Sequence, residues 1–479
     1  MSSSSHAIVV GAGIVGISCA LRIQQKHPGA SVTLLDASAP ASKHAASFGN
    51  AGTFAPYANV PIARPGLWRD ALRMMLVPTK AGAMPPPLSV LANTHLPALT
   101  PWLIRLLRNC HPTKVRSTAL ALGAILARAE TAYNSIFDAA GIDIDGSMGS
   151  FASNESDSNM PFALRNGYLL MHSGASSMQG SKRAAALRRE GLGKDLRMEQ
   201  VDVSGILELE PGLNSDFVRD GGAWFFPDGW CLREPGALLR ALSSAIERNG
   251  GELRSDARVD AVGTHDSDHA FVRLANGEML TADVVVVATG AHSAALAATA
   301  GDYVPLDTER GHSITFAEGT ERLLTRAVCS ADAGFILTPM SGGLRAAGLV
   351  ELGGLHAPMT RARCDQLESV SRTMIRSQDA LGDRDESKDW LGFRPTLPDA
   401  IPVIGPSVRH PRIFYSFGHQ HVGWTLGGIS AYMIEEMARP LLSTTRQSGT
   451  APALPASTAD LVSHAPIPVR FDAYRVNRF

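Results

Sequence analysis

The chain has little of what would mark a secreted scaffold, a nucleic-acid binder or a membrane span. Its 479 residues hold five cysteines, Cys19, Cys110, Cys231, Cys329 and Cys364, odd in number and widely scattered. With no CxxC pair and no Cys/His ligand spacing, neither a disulfide framework nor a metal site is expected. The cysteines read instead as small buried hydrophobes in a reducing compartment. An excess of one charge is lacking too: 44 Lys plus Arg stand against 45 Asp plus Glu. That balance gives no electrostatic reason to expect a nucleic-acid partner. No apolar run reaches the roughly 18 residues a spanning helix needs; the nearest, Leu96 to Leu107, is interrupted by Pro97, Pro101 and Arg105. The opening MSSSSHAIVVGAG lacks the charged region and apolar stretch of a secretory signal. A cytoplasmic protein is expected, with peripheral contact at the inner face of the cytoplasmic membrane left open around Trp102 and Leu107.

What is present is enough apolar material, 45% of residues, for a large core. At roughly 100–200 residues per domain the length suggests two or three domains. Residues 6–36 predict a parallel strand–helix–strand unit: a β-branched run at Ala7–Val10, helical apolar spacing over Ile14–Ile23, a stop at Pro28-Gly29, and a strand over Ser31–Leu35. Residues 38–66 form a long Ala/Gly/Ser-rich loop. Leu67 to Gly141 turns helical around a break at Pro85–Pro87, and 145–160 reads as a polar surface loop. A second α/β signature starts near Pro235, with a helix over Gly236–Arg248, strands over Glu252–Val262 and Phe271–Leu274, and a hairpin turn at Asn276-Gly277. Asp283–Thr289 is a continuous apolar run suited to a strand covered on both faces. Residues 302–356 predict an antiparallel sheet, Thr360–Leu381 a helix, and Ile413–Phe417 with a helix from Thr425 to Met437 the last α/β piece.

Gly11-Ala12-Gly13-Ile14-Val15-Gly16 sits between the first strand and helix. In such a fingerprint Gly11 permits the tight turn, Gly13 lets backbone approach a pyrophosphate, and Gly16 allows close strand–helix packing. The helix start at Ile14 and Val15 offers free N–H groups and partial positive charge to the phosphate. Asp36, followed by Ala37, ends the second strand 20 residues beyond Gly16, where a carboxylate can accept ribose hydroxyls. The acid disfavours a 2′-phosphate, hence NADP. The fingerprint by itself leaves FAD and NAD both open.

Motifs spread over nearly the whole chain narrow the choice: VVGAGIVGISCAL (9–21), SFGNAG (47–52), PDGW (227–230), ATGAHS (288–293), GGLRAAGLVELGG (342–354), WLGFRPTLPDAIPVIG (390–405) and FGHQHVGWT (417–425). Together they resemble the D-amino-acid oxidase superfamily of FAD-dependent amine oxidoreductases, most closely its bacterial D-amino acid dehydrogenases. The resemblance implies an α/β fold with a discontinuous Rossmann-like FAD-binding domain over 1–66, 161–301 and 388–440. An α+β substrate domain with a mainly antiparallel sheet would take 67–160 and 302–387, leaving 441–479 as a tail.

It also implies site residues. Ser47, Asn50, Ala51 and Gly52 would lie beside the isoalloxazine ring, Thr289 and Gly290 near the phosphate and adenosine half, and Val259 against adenine. Val422, Gly423, Trp424 and Thr425, opening the last helix, would hold the flavin carbonyl. Arg394 matches the arginine that binds the substrate carboxylate, a role suited to a planar guanidinium. His419, His421, His312 and Tyr57 are further pocket candidates, and Gln420 departs from the small residue usual at its position. The sequence around His44 does not reproduce the pattern of covalently attached flavins, so FAD is expected to be non-covalent. The expected reaction is oxidative deamination of an amino acid, of D configuration, by hydride transfer from the α-carbon to flavin N5. A dehydrogenase is favoured over an oxidase, and the electron acceptor is oxygen, a quinone or a partner protein. Three alternatives stay open: a secondary amino acid substrate (hydroxyproline, an opine or an N-methyl amino acid), an NAD-linked dehydrogenase, and a non-catalytic flavin-binding module.

Overall fold

A computed structural model describes residues 5–67, 88–90, 92–265, 269–443 and 469–479. The chain lays down two principal sheets by alternating between them. It opens with β1 (His6–Val10), α1 (Ile14–Lys26) and β2 (Ser31–Leu35), then sends α2 (Pro112–Leu126) and α3 (Ala129–Ala140) across the same core. β3 (Tyr168–His172), α4 (Ala175–Leu192) and β4 (Gly222–Phe226) begin the second sheet. The first regains α5 (Pro235–Arg248), β5 (Glu252–Arg254) and β6 (Val284–Val287). The second then takes β7 (Asp307–Thr315), β8 (Ala327–Ser330), β9 (Phe335–Met340), β10 (Gly343–Leu352), α6 (Arg361–Met374) and β11 (Trp390–Thr396). The chain closes on the first with β12 (Val403–Pro406), β13 (Ile413–Phe417) and α7 (Gly423–Leu442).

The first sheet runs β5-β2-β1-β6-β13-β12, parallel except for the β12–β13 pair. Strand alternation divides its side chains between two cores. Ala7, Val9, Val284 and Val286 face α1, α5 and α7, while Ile8, Val10, Val285 and Val287 face a small antiparallel sheet of residues 259–282 and the helix Ser293–Thr299. All eight are buried, which is why these strands carry unbroken apolar runs. The second sheet runs β11-β7-β10-β9-β8-β3-β4 and ends on Glu199–Val201. Ile314, Phe316, Leu344 and Ala346 on one face pack under Cys364, Leu367 and Met374 of α6. The opposite face turns toward the carboxyl ends of β1, β2 and β6.

Several sequence expectations need correction. The division into domains does not follow the pairing: β3, β4 and β11 lie in the second sheet, although 161–301 and 388–440 were assigned to the nucleotide domain. Conversely α2 and α3, assigned to the substrate domain, contribute Leu122, Ile125, Tyr133 and Ile136 to the core shared with α1 and α7. Within the stretch read as helical, Leu88–Val90 is a strand paired with β10, and the proline break at 85–87 lies outside the described residues. The 145–160 loop carries two short 3-10 turns and buries Asp157, which accepts a hydrogen bond from Ser341. Among the described residues no helix is long and apolar enough to cross a membrane. Trp102 is buried and donates to Thr396 O at 3.1 Å, whereas Ile104 and Leu107 are exposed.

The described end of the tail, 469–479, is not peripheral. α7 continues past Pro440 to Leu442, and Val469, Phe471, Tyr474 and Val476 are buried. The Tyr474 hydroxyl donates to Ala121 O of α2 at 2.7 Å, and Arg478 Nε donates to Asp399 at 2.7 Å. Tyr474→Ala should therefore cost about 3–5 kcal/mol, as large aromatic truncations in a core do. The check is the urea unfolding midpoint, which should fall; an unchanged midpoint would mean that the terminal segment adds nothing to the fold.

Candidate active site

The two sheets enclose one cavity of about 940 Å³ that runs from Gly11 and Asp36 to Arg394. At its nucleotide end Gly11 has φ +109° and donates its N–H to Leu35 O at 2.7 Å; a Cβ there would lie 2.5 Å from Ala288 O. A Cβ at Gly16 would lie 1.8 Å from Gly11 O, so Gly16 serves close packing and does not line the cavity. Gly13 differs. A Cβ there would meet only Ser47 Oγ, at an ordinary 3.5 Å, so protein packing does not demand glycine and the space kept clear belongs to the cavity. Asp36 accepts from Ala12 N at 2.6 Å and Ser38 N at 2.8 Å, and burial nonetheless raises its pKa. Ile14, Val15, Ala37, Val259, Thr289 and Gly290 complete this end of the wall. A pyrophosphate over Gly13 and a ribose against Asp36 fit these groups.

The middle of the cavity is bounded by the loop at Ser47–Ala51. Ile14 N donates to Ser47 Oγ at 3.1 Å, and Trp424 Nε1 donates to Ser47 O at 3.0 Å, tying the loop to the starts of α1 and α7. Thr338 Oγ1 donates to Ala51 O at 2.9 Å from β9. The Asn50 side chain is spent inside the loop, accepting from Gly52 N and donating to Ala46 O. Gly49 is required by a protein neighbour: a Cβ would sit 2.1 Å from the Trp390 ring. Three expected cofactor contacts are not on the cavity wall. Gly52 packs against Met340 and Leu232, Val422 sits in the core, and Thr425 is buried with its hydroxyl accepting from Ala55 N at 2.9 Å. Of that helix start, Gly423 and Trp424 line the cavity.

Arg394 stands on β11 directly opposite Glu309 of β7. Its guanidinium reaches across Gly311, where a Cβ would be 2.4 Å from Nη2, and Nη1 donates to Leu349 O at 2.7 Å. That carbonyl is aimed by an irregularity in β10. The β7–β10 register slips by one residue between Arg310 and His312, and Leu349 takes a left-handed φ of +58°. A bulge of this kind re-aims backbone groups at a strand position. Nη2 also donates to Gly348 O at 3.4 Å, and Arg394, which makes no ion pair at 4 Å or less among the described residues, lines the cavity. Burial lowers its pKa and Glu309 opposes that shift. Glu309 is buried, its carboxyl pushed up to about 7 by loss of solvent, with Arg394 pulling the other way.

The histidine candidates separate. His421 is exposed toward the cavity, and the protein crowded around its ring, with Arg394, draws its pKa down to about 4, leaving a neutral imidazole. His419 also touches the wall, but its Nε2 is bonded to Ser430 Oγ of α7 at 2.9 Å, which makes it an anchor. His312 lines the cavity beside Gly311, next to the irregularity in the β7–β10 register. There burial, Arg363 and Arg310 pull its pKa to about 3, and neither ring nitrogen has a hydrogen-bond partner among the described residues. Tyr57 is buried at the wall, stacked on Phe226 with centroids 4.0 Å apart, its hydroxyl likewise without a partner among the described residues. Gln420 holds a φ of +49° and donates to Ala400 O at 2.5 Å.

Sequence reasoning missed Glu309, Trp390 and Arg188. Glu309 lies three residues before His312, in the stretch where the histidine was singled out, and only the β7–β11 register shows it facing Arg394. Trp390 lay inside a quoted motif, but its seat between Gly49 and Gly392 is a contact across 341 residues of chain.

Comparison with known proteins agrees with this geometry. A family model described as FAD dependent oxidoreductase (DAO) matches residues 6–437. A D-amino-acid oxidase of Bradyrhizobium diazoefficiens is 31% identical over 433 residues, spanning 88% of this chain and 92% of that protein. A D-amino acid dehydrogenase of Cereibacter sphaeroides is 27% identical over 439 residues, spanning 90% and 91%. The crystal structure of glycine oxidase from Geobacillus kaustophilus matches with a TM-score of 0.64 at 17% identity, covering 93% of this chain and 100% of that one, a likeness of fold. The dinucleotide is thereby settled in favour of FAD over NAD: the chain belongs to the FAD dependent oxidoreductase family.

Proposed function

We propose that this protein oxidises an α-amino acid of D configuration, with Arg394 holding the α-carboxylate and Glu309 receiving the α-ammonium. The observation that carries this reading is the facing pair itself. One guanidinium, pinned by backbone carbonyls and free of any ion pair at 4 Å or less among the described residues, lies opposite one buried carboxyl, both on the wall of the cavity that begins at the dinucleotide grip. Relatives 25–31% identical over nearly the full chain are named for D-amino acids, which supports this substrate class over the secondary amines.

Arg394 binds the carboxylate through parallel N–H groups and so fixes where the α-carbon sits. Glu309, ionised, attracts the ammonium and accepts one of its protons, leaving the neutral amine that oxidation requires. FAD held non-covalently along Gly11–Gly13, Asp36 and Ser47–Ala51 would supply the two-electron oxidant for the α-carbon. Tyr57, Trp390 and neutral His421 keep water away from the reacting carbon, and the imino acid then adds water to give a 2-oxo acid and ammonia.

Arg394→Ala should leave the bound-flavin spectrum intact while lowering kcat/KM by at least ~10²-fold, the cost of leaving a buried carboxylate unpaired. A variant with wild-type kinetics on every amino acid oxidised would remove Arg394 from the site. The pH profile tests Glu309. Its base form is the active one, so kcat/KM should climb as pH rises through about 7 and flatten above it. Glu309→Gln should lose that limb and fall by ~10²-fold, keeping only the rise set by the substrate ammonium. An unaltered limb near pH 7 in the variant would assign the titration to another group.

A further inference from the structure

The cavity holds a second cation that the reaction above does not use. Arg188, on α4, donates from Nε to Tyr57 O at 3.1 Å and lies over the Phe226 ring, 5.9 Å from its centroid. Its neighbours Tyr57, Tyr168 and Cys329 are neutral at physiological pH, and burial pushes all three well above their ordinary pKa values. Among the described residues Arg188 has no carboxylate at ion-pair distance, although its side chain lines the cavity beside Tyr168, Leu170, Cys329 and Ile336. The carboxylates on that wall are Asp36 and Asp260, at the nucleotide end, and Glu309, which faces Arg394. Arg188 is half-buried in the cavity wall, and a cation withdrawn from water without an anion is costly. The space in front of Arg188 therefore suits an anion brought in by the ligand.

We propose that Arg188 binds a second carboxylate, on the substrate side chain, and that the preferred substrate is an acidic D-amino acid of aspartate or glutamate length. This rests on the proposed amino acid oxidation at Arg394 and names its substrate class. The spacing agrees. The Arg394 guanidinium is bonded over β10, and Arg188 neighbours Cys329 of β8, two strands away across β9. At ~4.8 Å per strand the two positions are ~10 Å apart. A charged hydrogen bond of ~3 Å at each end leaves ~4 Å between the carboxylates, the reach of the two or three carbon atoms that separate them in aspartate and glutamate. A monocarboxylic amino acid filling the cavity would cover Arg188 without supplying an anion, which disfavours it.

The test uses the purified flavin-loaded enzyme, reduced anaerobically with D-glutamate, D-aspartate, D-glutamine, D-asparagine and D-alanine at one pH and ionic strength. Rate constants and Kd values come from flavin bleaching. The wild type should be reduced by at least one acid ~10²-fold more efficiently than by its amide, the scale of a desolvated charge pair. Arg188→Met should erase that ratio by weakening the acids while amides stay within a few-fold, and Arg188→Lys should keep part of it. The wild-type ratio alone is decisive should either variant fail to fold. Efficient reduction by D-alanine or the amides with no advantage for the acids would overturn this inference and leave the proposed function standing. Absence of reduction by every amino acid in the set and by a wider D- and L-panel would overturn both.

Discussion

The arrangement depends on one close backbone approach. Gly11 and Gly16 lie so near each other and Ala288 that a Cβ on either would collide with a carbonyl. This contact seats α1 against β1 and β6 and brings its amino end to the carboxyl edge of the parallel sheet. Unpaired N–H groups and partial positive charge collect there, as an extended dinucleotide requires. Because Ile14 N also bonds Ser47 Oγ, the same helix end positions the Ser47–Ala51 loop, which is held in turn by Trp424 and Thr338.

The second sheet supplies what a nucleotide-binding unit lacks, a chamber beyond the end of the cofactor. Its cavity face places Glu309, Gly311, Trp390, Gly392 and Arg394 within one pair of antiparallel strands, the glycines giving up side chains so that Trp390 and Arg394 can lie across the sheet. The left-handed residue at Leu349 costs backbone energy, and the carbonyl it aims stabilises the arginine. Arg394 is thus oriented before any ligand arrives, and its charge is not consumed by a protein carboxylate. That preorganisation turns binding energy into placement of the α-carbon.

How much of this was legible in the sequence follows from the range of each interaction. The grip is local: Gly11, Gly13, Gly16 and Asp36 fall within one strand–helix–strand unit, and their spacing is set by helix and strand geometry. The apolar runs at Ala7–Val10 and at Val284–Val287 announced central strands because they are covered on both faces. Arg394, Gly423 and Trp424 were reached through motif resemblance, which carries long-range information that periodicity lacks. The division into domains departs from the sheet pairing because β3 finds a partner more than a hundred residues later in β8, and α3 returns to a core built by α1 and α7. Glu309 and Arg188 were missed for a related reason. That Glu309 stands opposite Arg394 is set by the β7–β11 register, and Arg188 is unremarkable in an exposed-looking helix until its cavity neighbours are known.

The most direct measurement is a crystal structure of the flavin-loaded protein with an unreactive carboxylate analogue of an amino acid. The expected result has the pyrophosphate over Gly13, the flavin ring against Ser47–Ala51, and the analogue's α-carboxylate on the Arg394 guanidinium with its α-carbon facing the flavin. An analogue bound away from Arg394, or FAD seated outside the Gly11–Asp36 groove, would contradict it.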